Sequence, residues 1–153
     1  MTEITLSEAM IYWRYISSSL DRLVGCLAGL DEEALNWKPL PTGNSLYVLA
    51  THTLGNTEEN VLGVLCGELI VRHRDAEFAS YGASLIEVEQ VWRTLRERVE
   101  RHLETIPPTR LDGMCDHPRR GAIMGREVLL IVARHCTEHL GQAELTRALL
   151  LAN

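Results

Sequence analysis

No apolar run in the sequence approaches the roughly 20 residues that a membrane-spanning helix requires, so no membrane partner is expected. No two cysteines stand at CxxC spacing. Cys26, Cys66, Cys115 and Cys136 are scattered along the chain, which argues against a zinc ribbon and a disulfide framework and for reduced, mostly buried thiols. A basic stripe is missing too: the net charge is −6, and the arginines, including the tight clusters Arg72/Arg74 and Arg119/Arg120, are spread among acidic residues. Nucleic acid is therefore not an expected partner. Neither an alternating strand pattern nor an internal repeat is present, so the expectation is an all-helical chain. Met1-Thr2-Glu3-Ile4 lacks the basic region followed by an apolar one that marks a secretory leader, and the expected location is cytoplasmic.

What is there fits an ordinary globular protein. With 153 residues, 46% hydrophobic and 24% charged, the chain is long enough for a real core and is expected to form a single domain over residues 1–153. Helical spacing dominates. Thr5-Leu6-Ser7-Glu8 has the form of a capping box, and apolar residues recur at Met10, Trp13, Ile16, Leu20, Val24, Leu27 and Leu30 until Gly29 and Asp31 end the pattern. Asp31 to Leu35 reads as a short capped turn, followed by a connection broken by Pro39, Pro41 and Gly43. Ser45 caps a second helix expected from about Leu46 to Leu65. Residues 67–83 read as a long connection with room for one short helical turn. Ser84-Leu85-Ile86-Glu87 is a second capping box, and the third helix it opens runs until Pro107-Pro108. Thr109 to Gly121 reads as irregular. The last helix, from about Ile123 to Leu150, carries Val128-Leu129-Leu130-Ile131-Val132 in succession, a run expected deep in the core. Four amphipathic segments of about 20 residues predict a four-helix bundle, an architecture whose metal sites are built by side chains facing inward.

Directly after that buried run comes His135-Cys136-Thr137-Glu138-His139. On a helix, residues four apart share a face with Cβ atoms about 5 to 6 Å apart, close enough for both imidazoles to reach one cation about 2 Å away. Two histidines at this spacing are also common as plain surface or core residues. Buried imidazoles, however, need carbonyls, carboxylates, water or a metal as partners. His73 and His117 fall in expected loops and His102 near the end of the third helix. His52 alone sits on a helix at a depth where it could face the pair. Candidates for orienting the rings are Asn56, Glu59, Glu138 and Gln142, with Gln142 the best placed, one turn beyond His139. Each is equally readable as a solvated or helix-packing residue. Cys136 points about 100° away from His135, which favours packing over ligation.

Trp37-Lys38-Pro39, then Ser45-Leu46-Tyr47-Val48-Leu49-Ala50-Thr51-His52, then His135 and His139-Leu140-Gly141-Gln142 together resemble the DinB-like (YfiT-like) family over most of the chain. The resemblance implies a bundle of up-down-down-up connectivity and three metal-binding histidines matching His52, His135 and His139. It also implies metal-dependent transfer or isomerisation with a low-molecular-weight thiol such as bacillithiol or mycothiol, and a homodimer. Three protein ligands leave positions open for water or substrate, as in a catalytic site; zinc suits imidazole best, with nickel, iron or manganese as alternatives. The substrate is expected to be a small molecule, with Arg74, Arg119 or Arg120 available to its carboxylates. Two other readings stand beside this one. His135-Cys136-Thr137-Glu138-His139 matches the short pattern H-x-x-E-H, in which Glu138 would serve a metal-assisted hydrolysis. The alternative from another class is a bundle that binds metal or a partner without catalysis.

Overall fold

A computed structural model describes residues 6–153. The Thr5 end of the first expected capping box lies outside them. Helix α1 (Glu8–Gly25) is capped by Ser7, whose Oγ accepts from the Met10 amide, while Glu8 pairs with Arg126 of the last helix. Asp31 caps the single turn α2 (Glu32–Leu35) as expected. Ser45 likewise caps α3 (Leu46–Thr57). This helix reaches Leu65, but its last eight residues, Glu58–Leu65, wind as a π-helix. Thr53, Thr57 and Asn60 each return a side-chain hydrogen bond to the carbonyl four residues back, at 2.7, 2.9 and 2.8 Å. Such bonds compete with the backbone ladder where the helix changes pitch.

The connection after it holds one short helix, α4 (Arg74–Phe78), and leads to α5 (Ile86–Leu103). Here the expected capping box does not close. Ser84 Oγ accepts from the Ile86 amide, and Glu87 instead accepts the Tyr47 hydroxyl at 3.3 Å. Past Pro107 the chain differs from the irregular segment expected. It forms α6 (Pro108–Asp112) and a two-stranded antiparallel hairpin, β1 (Met114–His117) and β2 (Gly121–Met124), with Cys115 opposite Ile123 and His117 opposite Gly121. Four-residue strands carry too little alternation to register as a period of two. Gly121, at φ 72°, closes the turn in a conformation open to glycine.

The final helix, α7 (Gly125–Leu151), packs on α1 and on the α3–π segment, while α5 closes the far side of α1 and α3. The core between them is a layer of Trp13, Ile16, Leu20, Leu23, Leu62, Leu65, Trp92, Leu95, Val99, Leu129, Val132 and Cys136. The apolar run of α7 is not buried as a block: Val128, Leu129 and Val132 are enclosed, but Leu130 is 50% exposed. Successive helical residues step by about 100°, so five in a row cannot all face one side.

Candidate metal centre

Packing α3 against α7 brings His52 to the pair on α7. His52 Nε2 and His139 Nε2 each lie 3.1 Å from His135 Nε2. The three are the one set of His, Cys, Asp or Glu side chains among the described residues whose donor atoms gather closely enough to hold a metal ion, all within 4.8 Å of one another. His52 is buried and the other two are half-buried. Tetrahedral nitrogens about 2.0–2.1 Å from zinc stand roughly 3.3 Å apart, close to the two 3.1 Å separations that His135 makes.

The outward nitrogens show why the inner ones fit a cation. His52 Nδ1 faces Glu77 Oε1 at 3.1 Å and His139 Nδ1 faces Gln142 Oε1 at 2.8 Å. Each oxygen accepts a hydrogen bond from the Nδ1–H of its ring, which leaves the Nε2 of both rings with a bare lone pair. Arg72 Nη2 also lies 3.3 Å from His52 Nδ1, but a guanidinium only donates, so the carboxylate is the partner of a protonated Nδ1. His135 has no such outer partner: its Nδ1 is buried and unbonded. If His135 carried its proton on Nε2, that proton could satisfy only one of its two facing neighbours. On Nδ1 it would leave three lone pairs aimed at one point. A shared cation resolves that convergence, and the residues therefore fit a metal.

Burial keeps the His52 and His135 rings neutral. It pushes His52 down to about 4 against the opposing pull of Glu77, and, with the neighbouring imidazoles, pushes His135 down to about 3. Both therefore offer lone pairs at neutral pH. Burial also pushes the Cys136 thiol up to about 12. With its sulfur 3.5 Å from Thr57 Oγ1, Cys136 is a packed core side chain, not a nucleophile.

Of the remaining expected site residues, Gln142 reaches the centre and the others are dispersed. Gln142 bonds His139. Glu59 accepts from both Arg72, at 2.9 Å, and Arg119, at 2.6 Å. Burial pulls its carboxyl upward, but the two guanidinium groups together hold it below the usual carboxylate range. Asn56 Oδ1 is buried without a partner. Glu138 is exposed and lies 3.7 Å from Arg134. Of the arginines considered for a substrate carboxylate, Arg119 is committed to Glu59 and Arg74 stacks on Phe78 at 4.8 Å. Sequence reasoning passed over Glu77 and Phe78 because both lie in the connection after the π segment. The one visible hint was Arg72, whose guanidinium donates to Glu77 through Nε and Nη2 at 2.9 and 2.8 Å.

The fold and site define a helical protein with a three-histidine centre held between two packed helices. A model of the DinB superfamily matches residues 15–143, and the chain belongs to that superfamily. A crystal structure of a conserved protein from Enterococcus faecalis is similar to it with a TM-score of 0.77 at 16% identity, covering 97% of this chain and 100% of that one. A DinB-like protein from Bacillus cereus is similar with a TM-score of 0.72 at 16% identity, covering 90% of this chain and 87% of that one. At such identity the likeness is one of fold. No curated protein matches the chain.

Proposed function

We propose that the protein is a metal-dependent enzyme acting on small molecules, a transferase or isomerase that uses a low-molecular-weight thiol. The observation that carries this reading is the convergence of three Nε2 atoms. His52, His135 and His139 are assigned as the ligands of a divalent ion, zinc in the first instance. When bound, the ion would supply the positive charge that keeps a thiol as thiolate at neutral pH. Gln142 fixes the His139 ring through Nδ1. Glu138, exposed on the same helix, is assigned as the carboxylate available to take up the proton released.

The reading extends to the architecture. It takes α1, the α3–π segment, α5 and α7 as an up-down-down-up bundle in one domain, supported by the packing of α1 and α3 against both α5 and α7. Exposed Leu145, Leu149 and Leu151 on α7 support a homodimer. No described helix is long and apolar enough to cross a membrane. Four free cysteines are compatible with the cytoplasm, where thiols stay reduced.

Elemental analysis of untagged protein tests the proposal. About one metal per chain is expected, lost in His52→Ala and His139→Ala while both variants keep their helical circular dichroism. The metal-loaded wild type should then transfer a candidate thiol to an electrophilic acceptor, and the variants should not. Wild type that takes up no zinc, nickel, iron or manganese would sink the reading. Metal uptake without thiol transfer, but with hydrolysis abolished by Glu138→Gln, would replace it with a hydrolase.

A further inference from the structure

Glu77 stands apart from the other polar residues around the histidines. It is carried by α4, in a different segment from all three rings, and it is buried. A buried carboxylate is costly unless paired, and here each oxygen is engaged: Oε1 by His52 Nδ1 and Arg72 Nη2, Oε2 by Arg72 Nε. The Arg72 side chain is itself 6% exposed and is held from the other side by Glu59. The space the carboxylate occupies exists because residue 55 is glycine. A Cβ there would fall 2.2 Å from Glu77 Oε2. Gly55 lies three residues after His52 on α3, so this helix provides both the ring and the gap through which the carboxylate reaches it. The next residue of α4, Phe78, lays its ring against the imidazole, with centroids 4.5 Å apart. Thus α4 meets His52 on two sides, by charge at Nδ1 and by contact on the ring.

We propose that Glu77 is a positioning residue for the three-histidine centre: seated over Gly55 and clamped by Arg72, it holds the His52 ring with its proton on Nδ1 and its Nε2 lone pair aimed at His135. Gln142 does the same for His139 with a neutral amide from the same helix. Glu77 does it with a charge from a separate segment, so the docking of α4 and the readiness of His52 are one event. The proposal rests on the metal reading for its consequence, but the tautomer of His52 can be read without metal.

Two measurements test it, zinc affinity by competition with a chromophoric chelator and nitrogen-15 NMR of the imidazoles in the metal-free protein. In wild type the His52 ring should show a protonated Nδ1 and a bare Nε2. Glu77→Ala should shift it toward the opposite tautomer and weaken zinc binding by about 10- to 100-fold, the usual range for loss of such a partner. Glu77→Gln keeps an oxygen that accepts the same N–H and should recover most of the loss. Gly55→Ala gives a second route should Glu77→Ala fail to fold: it retains every polar group, displaces only the end of a flexible side chain, and should move both readouts in the same direction. An unchanged tautomer and unchanged zinc affinity in Glu77→Ala and Gly55→Ala would overturn the proposal and leave the metal site standing. Wild type without zinc affinity would instead remove the metal reading, with the tautomer still deciding the role of Glu77.

Discussion

His135 concentrates the tension of the site in a single ring. It receives two imidazoles at Nε2 and has no partner at Nδ1, so without a cation it is the least satisfied group of the three. Its neutrality has a measurable cost in acid. An unfolded histidine takes up its proton near pH 6.5, whereas burial pushes His52 down to about 4 and His135 down to about 3. Between those values and 6.5 the unfolded chain binds more protons than the folded one. The stabilisation is therefore full above pH 6.5 and is lost as the pH falls through about 4 and then about 3. Thermal melts of the metal-free protein should show a melting temperature that declines from pH 6.5 to pH 4, with a shallower decline in His135→Gln. Equal slopes would mean that His135 is not held neutral. At this scale the histidines were legible because a helix places residues four apart on one face, and Gln142 because it follows His139 by one turn. Glu77 was not, because it reaches His52 from 25 residues away through a gap that only the folded Gly55 reveals.

At the scale of elements, the long helices were readable from caps and period, and their limits were set by side chains the sequence does not pair. The Ser84 box stays open because Glu87 is drawn to Tyr47. The π segment follows from side-chain bonds back to the backbone, and its eight residues keep the apolar content of an ordinary helix, so no period betrays it. The hairpin was missed for its brevity. Its junction with α7 is tight nonetheless: the Gly125 amide donates to the Gly113 carbonyl at 2.9 Å, and a Cβ on Gly125 would fall 2.2 Å from the Arg110 carbonyl oxygen. Because that neighbour is backbone, Gly125→Ala should destabilise the fold by about 1 to 3 kcal/mol, the usual cost of overpacking. Gly141, in the middle of α7, has nothing within 4 Å of its would-be Cβ, and Gly141→Ala should stabilise by about 0.5 to 1 kcal/mol. Urea unfolding of both variants checks the pair, and the opposite signs are the point of the comparison.

Across the whole molecule, the helices are joined by a core in which the two largest side chains meet with their rings inclined at 52°. Trp13 of α1 and Trp92 of α5 have centroids 5.9 Å apart, and each indole N–H crosses to the other helix, Trp13 to Glu100 at 3.2 Å and Trp92 to Asp21 at 2.8 Å. Trp13 is 1% exposed. Trp13→Ala should cost about 3 to 5 kcal/mol by denaturant unfolding, in the range for a large side chain lost from a core. A smaller loss would show that the core closes over the gap. The surface ion pairs, such as Arg98 with Glu58 and Glu68, should matter far less, since half-exposed pairs contribute at most about 1 kcal/mol.

His52 and His135 stand 83 residues apart in sequence, more than half of the 153-residue chain, yet their rings touch. An ion held between them would act as a reversible cross-link closing that long loop, and a ligand that binds only the folded form raises its stability with its own free concentration. Supply of the ion would then set how long each molecule survives as well as whether it works. Under metal starvation the protein would be thinned by turnover, and its abundance would become a gauge of the metal available to it.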